Sequence, residues 1–172
     1  MYTIRSGLIK LVQYLPDGSQ RIVRLIKTAD VTGLESLLGK PYEHNAVVMQ
    51  KSEVCCLPVA TINALSEHNP ALHVELLKRW HRALSEADAW LTELSTGPAR
   101  ERIARLLLRL TRELDTPECE LFGREDMGAM LGITTETASR TIAEFKRQGL
   151  LAELGHHRVR VNVDGLTSLL RN

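Results

Sequence analysis

Within the segment TETASRTIAEFKR, Glu136, Ser139 and Arg140 bring together a carboxylate, a hydroxyl and a guanidinium. Their spacing of three and four residues places all three on one side of a helix. An arginine fork matches the O6 and N7 acceptors of guanine, a carboxylate accepts from cytosine N4, and a serine can contact either groove edge. A helix of this width enters the major groove of B-DNA with its N-terminal residues nearest the bases. At about 100° per residue, Ala138, Thr141, Ile142 and Phe145 share the opposite side and form a core face. Glu136, Ser139, Arg140, Ala143 and Arg147 share the outward one. An acid facing phosphates is repelled unless it has a base-specific task. The same residues also allow a solvated i,i+4 salt pair between Glu136 and Arg140, worth a few tenths of a kcal/mol. The two readings coexist if the acid holds the arginine until DNA arrives.

Neighbouring segments supply the elements that would position this helix. GREDMGAML reads as a short helix, with Met127 and Leu131 one turn apart and Gly128 where a close crossing needs a small residue. Gly132 can take the left-handed conformation that ends it. Thr134 can cap the next helix, and Glu136 suits the positive end of its dipole. Helix, glycine turn, helix is a helix-turn-helix pattern. Beyond it, LLAELGHHRVRVNV reads as a hairpin, a wing, in which Val159, Val161 and Val163 alternate with Arg158, Arg160 and Asn162. DGLTSLL closes the segment as a helix capped by Asp164. Net charge is +1, so any case for nucleic acid is local; residues 136 to 160 hold five basic and three acidic side chains.

The chain has 172 residues, 44% hydrophobic and 25% charged, enough for a packed core. Residues 2 to 60 read as strands. LIKLVQYL and RIVRLIK flank the turn signal PDGS, NAVVMQ and EVCCLPV are further short β runs, and GLESLLGKPYEHN forms loops with a helical turn. From Pro70 to Leu94 the pattern is helical, and Leu77, Trp80, Leu84, Ala87, Leu91 and Leu94 form an a/d seam. The seam fits self-association, or a single amphipathic helix packed on its own domain. STGPAR breaks the helix at Gly97 and Pro98. ARERIARLLLRLTREL follows, with Ile103, Leu106, Leu107 and Leu110 on one face and five arginines mostly elsewhere. Those arginines read as a solvated face, some of which could reach phosphates. DTPECE reads as a linker.

Several function classes lack support. No apolar run spans a membrane and no leader peptide is evident, so a cytoplasmic protein is expected. Cys55, Cys56 and Cys119, read as two strand residues and one loop residue, give no disulfide framework and too few thiols for an iron–sulfur cluster. Adjacent His156 and His157 at a turn point apart, and no metal site is expected. No phosphate loop, zinc spacing or nucleophile elbow appears, and the Glu43–His44 pair reads as incidental; no catalytic residue is assigned.

β-rich segment, seam helix and winged helix-turn-helix, in this order, resemble the Crp/Fnr family of bacterial transcription regulators along essentially the whole chain. YTIRSGLIKLVQYLPDGSQRIVRLIKTADVTGLESLLG is similar to the second part of the family's cyclic-nucleotide-binding-type β-roll, and REDMGAMLGITTETASRTIAEFKRQGLLAE to its DNA-binding signature. The resemblance implies an α+β protein. Residues 1–66 would be a partial β-roll, 67–96 a dimerisation helix and 97–172 a winged helix-turn-helix domain. Glu136, Ser139 and Arg140 match the Glu-x-x-Ser-Arg pattern of the Fnr branch, which reads a TTGAT-type half-site. Arg140 would then bind guanine, Glu136 the cytosine edge and Ser139 a thymine. Thr135, Arg147 and Arg158 are assigned to the DNA backbone. A homodimer on double-stranded DNA with RNA polymerase as partner follows by resemblance. The alternative is an interaction module that heterodimerises with a full-length relative.

Three departures matter. Leu34 follows Gly33 where cyclic-AMP-binding members have glutamate, and His44-Asn45 replace their Arg-Ser pair, so cyclic nucleotide binding is not expected. The N-terminal cysteine cluster of oxygen-sensing members has no counterpart. The family's opening strands have none either, which predicts exposed strand edges. No cofactor is assigned; His44, His68 and His73 are conceivable haem ligands.

Overall fold

The computed structural model describes residues 1–171 and has an α+β architecture divided into two compact units, Met1–Asp88 and Ala89–Asn172. In the first, β1 (Tyr2–Tyr14) runs antiparallel to β2 (Gln20–Ile26), β3 (Val31–Thr32) and β4 (Asn45–Cys56). The β1–β2 turn is the predicted one. Gly18 takes φ 82°, the Leu15 amide donates to the Ser19 carbonyl at 2.8 Å, and Asp17 accepts from the Ser19 amide and hydroxyl at 2.9 and 2.6 Å. A 3-10 turn at Leu34–Leu38 lies within the segment read as loop with a helical turn.

NAVVMQ and the first four residues of EVCCLPV form one continuous strand, β4. Among the described residues it pairs only with β1. Helix α1 (Val59–His68) begins at the end of the span read as strand and fills the segment up to Asn69, for which the sequence pattern gives no element. Its β-branched Val59, Thr61 and Ile62 favour strand locally, but Pro58 at its N-terminus sets the helical entry. Ile62 packs with Met1 and Leu34 in one apolar cluster of the unit. Another joins Ile4, Ile9, Leu11 and Ile26. Helix α2 (Pro70–Leu94) covers the predicted range. Arg82 pairs with Asp30 at 3.0 Å, and Arg79 donates to the Ala29 carbonyl. Both contacts tie α2 to the β2–β3 loop.

The second unit contains α3 (Ala99–Leu114), β5 (Glu118–Glu120), α4 (Arg124–Leu131), α5 (Thr135–Arg147), β6 (Leu151–Gly155), β7 (Arg158–Val161) and α6 (Val163–Leu169). Its sheet has the order β5-β7-β6. The segment read as a linker thus contributes an edge strand, paired Glu118↔Arg160, Cys119↔Val159 and Glu120↔Arg158. Cys119 is therefore a buried strand residue, not a loop residue. Val163 leaves the expected alternation because it begins α6. The cap of that helix is Asn162, whose side chain accepts from the Gly165 amide at 2.9 Å, in place of the expected Asp164. The β6–β7 turn is formed by His156 and His157, both left-handed at φ 50° and 62°.

The arginines of α3 are largely committed to the protein. Arg102 donates to the carbonyls of Gly97 and Leu131 at 2.8 Å each. Arg105 donates to those of Glu93 and Thr96 at 3.0 Å each. Arg109 bridges Glu93 and Glu113 beside the Trp90 ring, and Arg100 bonds Gln148 across the Phe145 ring. The expectation of a mostly solvated face fails because backbone carbonyls around the α2–α3 connection and at the end of α4 need donors.

Burial pushes the Cys119 thiol up to about 11, whereas Cys56 is exposed. A maleimide at about pH 8 should therefore label Cys56 in the folded protein and Cys119 only after denaturation, as read by peptide mass spectrometry.

Candidate nucleic-acid interface

Helix α5 separates its two sides as the periodicity predicts. Ala138, Ile142 and Phe145 are at most 1% exposed and Thr141 8%, while Glu136, Ser139, Arg140, Ala143 and Arg147 are all exposed. The helix starts at a side-chain cap: Thr134 Oγ1 accepts from the Thr137 amide at 3.1 Å. This cap satisfies an amide that the first turn leaves without an intrahelical partner. Thr135, the first helical residue, is exposed.

Two glycines fix how α4 meets α5. Gly132 ends α4 at φ 65°, and its amide donates to the Gly128 carbonyl at 2.8 Å. A Cβ at Gly128 would lie 2.7 Å from the Ile133 carbonyl oxygen, which is backbone and cannot swing away. The small residue expected at the crossing is thus required by the turn itself.

No hydrogen bond or ion pair among the described residues engages the side chains of Glu136, Ser139, Arg140 or Arg147. The Glu136–Arg140 salt pair that the spacing allows is not formed. Other charges nearby are held: Lys146 pairs with Glu153 of β6, which ties the wing to α5 and holds the Glu153 carboxyl below its ordinary value. Glu144 bonds Gln148 and faces Arg100. The outward side of α5 thus presents a carboxylate, a hydroxyl and two guanidiniums with no internal commitments, a set suited to base edges and phosphates. Arg158 differs, since it is bonded to Glu118 at 2.8 Å.

Residues 101–169 match the Crp-like helix-turn-helix domain, and residues 1–69 match the cyclic nucleotide-binding domain. The chain belongs to the Crp/Fnr family. It is a DNA-binding transcription regulator of the Crp/Fnr type. It is 29% identical over 175 residues to the fumarate and nitrate reduction regulatory protein of Salmonella typhi, spanning 98% of this chain and 70% of the relative. It is 27% identical to the transcriptional activator protein anr of Pseudomonas aeruginosa over 90% of this chain and 66% of that protein. FixK2 from Bradyrhizobium japonicum superposes with a TM-score of 0.85 at 26% identity, covering 98% of this chain and 85% of that one. A CRP-family regulator from Thermus thermophilus gives 0.82 at 26% identity, covering 99% and 87%.

In the first unit of this Crp/Fnr chain an open cavity of about 830 Å³ adjoins the 3-10 turn. Leu34, His44 and Asn45, on which the resemblance-based expectation against cyclic nucleotide rests, all line it. Arg24 and Glu35 line it too, so a guanidinium and a carboxylate are present from other positions; the sequence pattern gave no sign of them. His68 and His73 lie exposed on helices, and only His44 of the three candidate histidines lines the cavity. No group of three or more His, Cys, Asp or Glu residues able to hold a metal occurs among the described residues. No helix among them is long and apolar enough to cross a membrane. On α2, Leu77, Trp80, Leu84, Ala87 and Leu91 are exposed, but Leu94 is fully buried and offers nothing to a partner, so the exposed stripe ends at Leu91. Trp80 and Ala87 belong to this stripe and to the cavity lining.

Gly128→Ala should destabilise the second unit by about 1–3 kcal/mol through overpacking against backbone, measured by denaturant unfolding with Cys119 alkylation as the local probe.

Proposed function

We propose that this regulator binds an inverted repeat of TTGAT-like half-sites as a homodimer. The observation that carries the reading is the exposed, uncommitted trio of Glu136, Ser139 and Arg140 at the start of a capped helix. Arg140 takes the guanine, Glu136 the cytosine amine of the same or adjacent pair, and Ser139 a thymine edge. Thr135 and Arg147 contact the backbone at the two ends of α5. Arg158 does so from the wing, in exchange with Glu118. Phosphate contacts of this kind set register without carrying sequence.

The stripe from Leu77 to Leu91 supports self-association. A row of apolar side chains repeated every three to four residues, more than a third exposed at Leu77, Trp80, Leu84 and Leu91, is the pattern of a coiled-coil seam. A twofold dimer would set two recognition helices about one helical turn of DNA apart. In this reading residues 1–66 sense, 67–96 dimerise and 97–172 bind DNA. The protein works in the cytoplasm, acts by binding and not by catalysis, and has RNA polymerase as its onward partner.

Arg140→Ala should cost roughly 1–3 kcal/mol on the preferred duplex and relax the preference at one base pair, read by binding to a panel of single-substituted duplexes. Unchanged selectivity would reject the role given to Arg140. Leu84→Glu should shift sedimentation from dimer to monomer and lower affinity for the full repeat more than for an isolated half-site.

A further inference from the structure

The outer face of the wing sheet carries a charge group in which one carboxylate holds two arginines. Strand alternation turns Cys119, Val159 and Val161 inward, where all three are buried, and leaves Glu118, Arg158 and Arg160 outward. One Glu118 oxygen accepts from Arg158 and the other from Arg160, each at 2.8 Å. The arginine side chains are 59% and 60% exposed while that of Glu118 is 24% exposed, so the cations face solvent and the anion sits between them. On the flanking strands Glu120 stands opposite Arg158 and Ala152 opposite Arg160.

We infer that Glu118 is a built-in competitor of the DNA backbone, which phosphate must displace from Arg158 and Arg160 before the wing can add to affinity. A carboxylate and a phosphate offer an arginine the same chemistry, paired anionic oxygens at hydrogen-bond distance. With both oxygens of Glu118 already taken, a phosphate gains only the difference between two similar partners. The displaced carboxylate then recruits a cation from solution, which offsets part of the counterion release that drives backbone binding. The effect carries no base information. It lowers the sequence-independent part of affinity, the part that holds a regulator on the many competing sites of a chromosome. Hydrogen bonding to Arg160 outweighs the opposing desolvation and, with the charges of Arg160 and Arg158, holds the Glu118 carboxyl below its ordinary value, so the competitor stays ionised at neutral pH.

The inference rests on the DNA-binding reading, and the test separates the two. Fluorescence anisotropy of the full chain on a preferred and a scrambled duplex, over a salt series, compares wild type with Glu118→Gln. Both duplexes should bind roughly two- to fivefold more tightly, given the strength of exposed ion pairs. The slope of log affinity against log salt should steepen by about one to two, with the preference ratio unchanged. Glu118→Ala must act alike, Glu118→Asp must fall between, and an R158Q/R160Q background must abolish the change. Selective binding by wild type with affinity and slope unaltered in E118Q and E118A overturns the inference alone. Equal, weak binding of all duplexes by wild type overturns the DNA-binding reading as well.

Discussion

A helix that inspects DNA must be anchored on one side and unengaged on the other, and the second unit is built around that division. Ala138, Thr141, Ile142 and Phe145 bury the inner side of α5, while Thr134 closes its first turn without using any outward side chain. The close passage of Gly128 against the Ile133 carbonyl leaves α4 and α5 little freedom to slide. Lys146 and Glu153 fasten the wing to the same helix. Outward side chains can then stay unpaired without loosening the helix, because burial and backbone geometry carry the stability.

The distribution of arginines follows the same logic. Those of α3 that donate to main-chain carbonyls, Arg102 and Arg105, answer backbone groups left open at helix ends. A guanidinium suits this work because its donors lie in a fixed plane and it stays charged when partly buried. Arg140 and Arg147 have no such duty. The near-neutral composition therefore says little about the potential at the surface: many charges are spent inside the unit, and a small uncommitted set defines its outward character.

What was legible in the sequence follows from how local each cause is. The core face of α5, the Thr134 cap and the Gly132 turn depend on neighbours within a few residues, and each was readable. Helix α1 was not, since Val59, Thr61 and Ile62 prefer extended backbone and only packing with Met1 and Leu34 overrides them. A three-residue strand such as β5 has no period of its own and is defined by pairing with β7, some forty residues along. The Glu118 group and the presence of Arg24 and Glu35 in one cavity are products of tertiary placement, and the spacing of these residues carries no trace of it. The seam was readable as a stripe but not where it ends, because burial of Leu94 depends on the fold around it.

The turn at the tip of the wing is built from residues that resist its backbone conformation. Two-residue hairpin loops of this handedness are easiest with asparagine and glycine, whose backbones reach the left-handed region at little steric expense. Here two imidazoles occupy it. Each side chain with a β-carbon in this region carries a steric cost of roughly 1–2 kcal/mol. The apex of the wing thus holds its shape against the preference of its own side chains, and an asparagine–glycine pair there would make a sturdier loop.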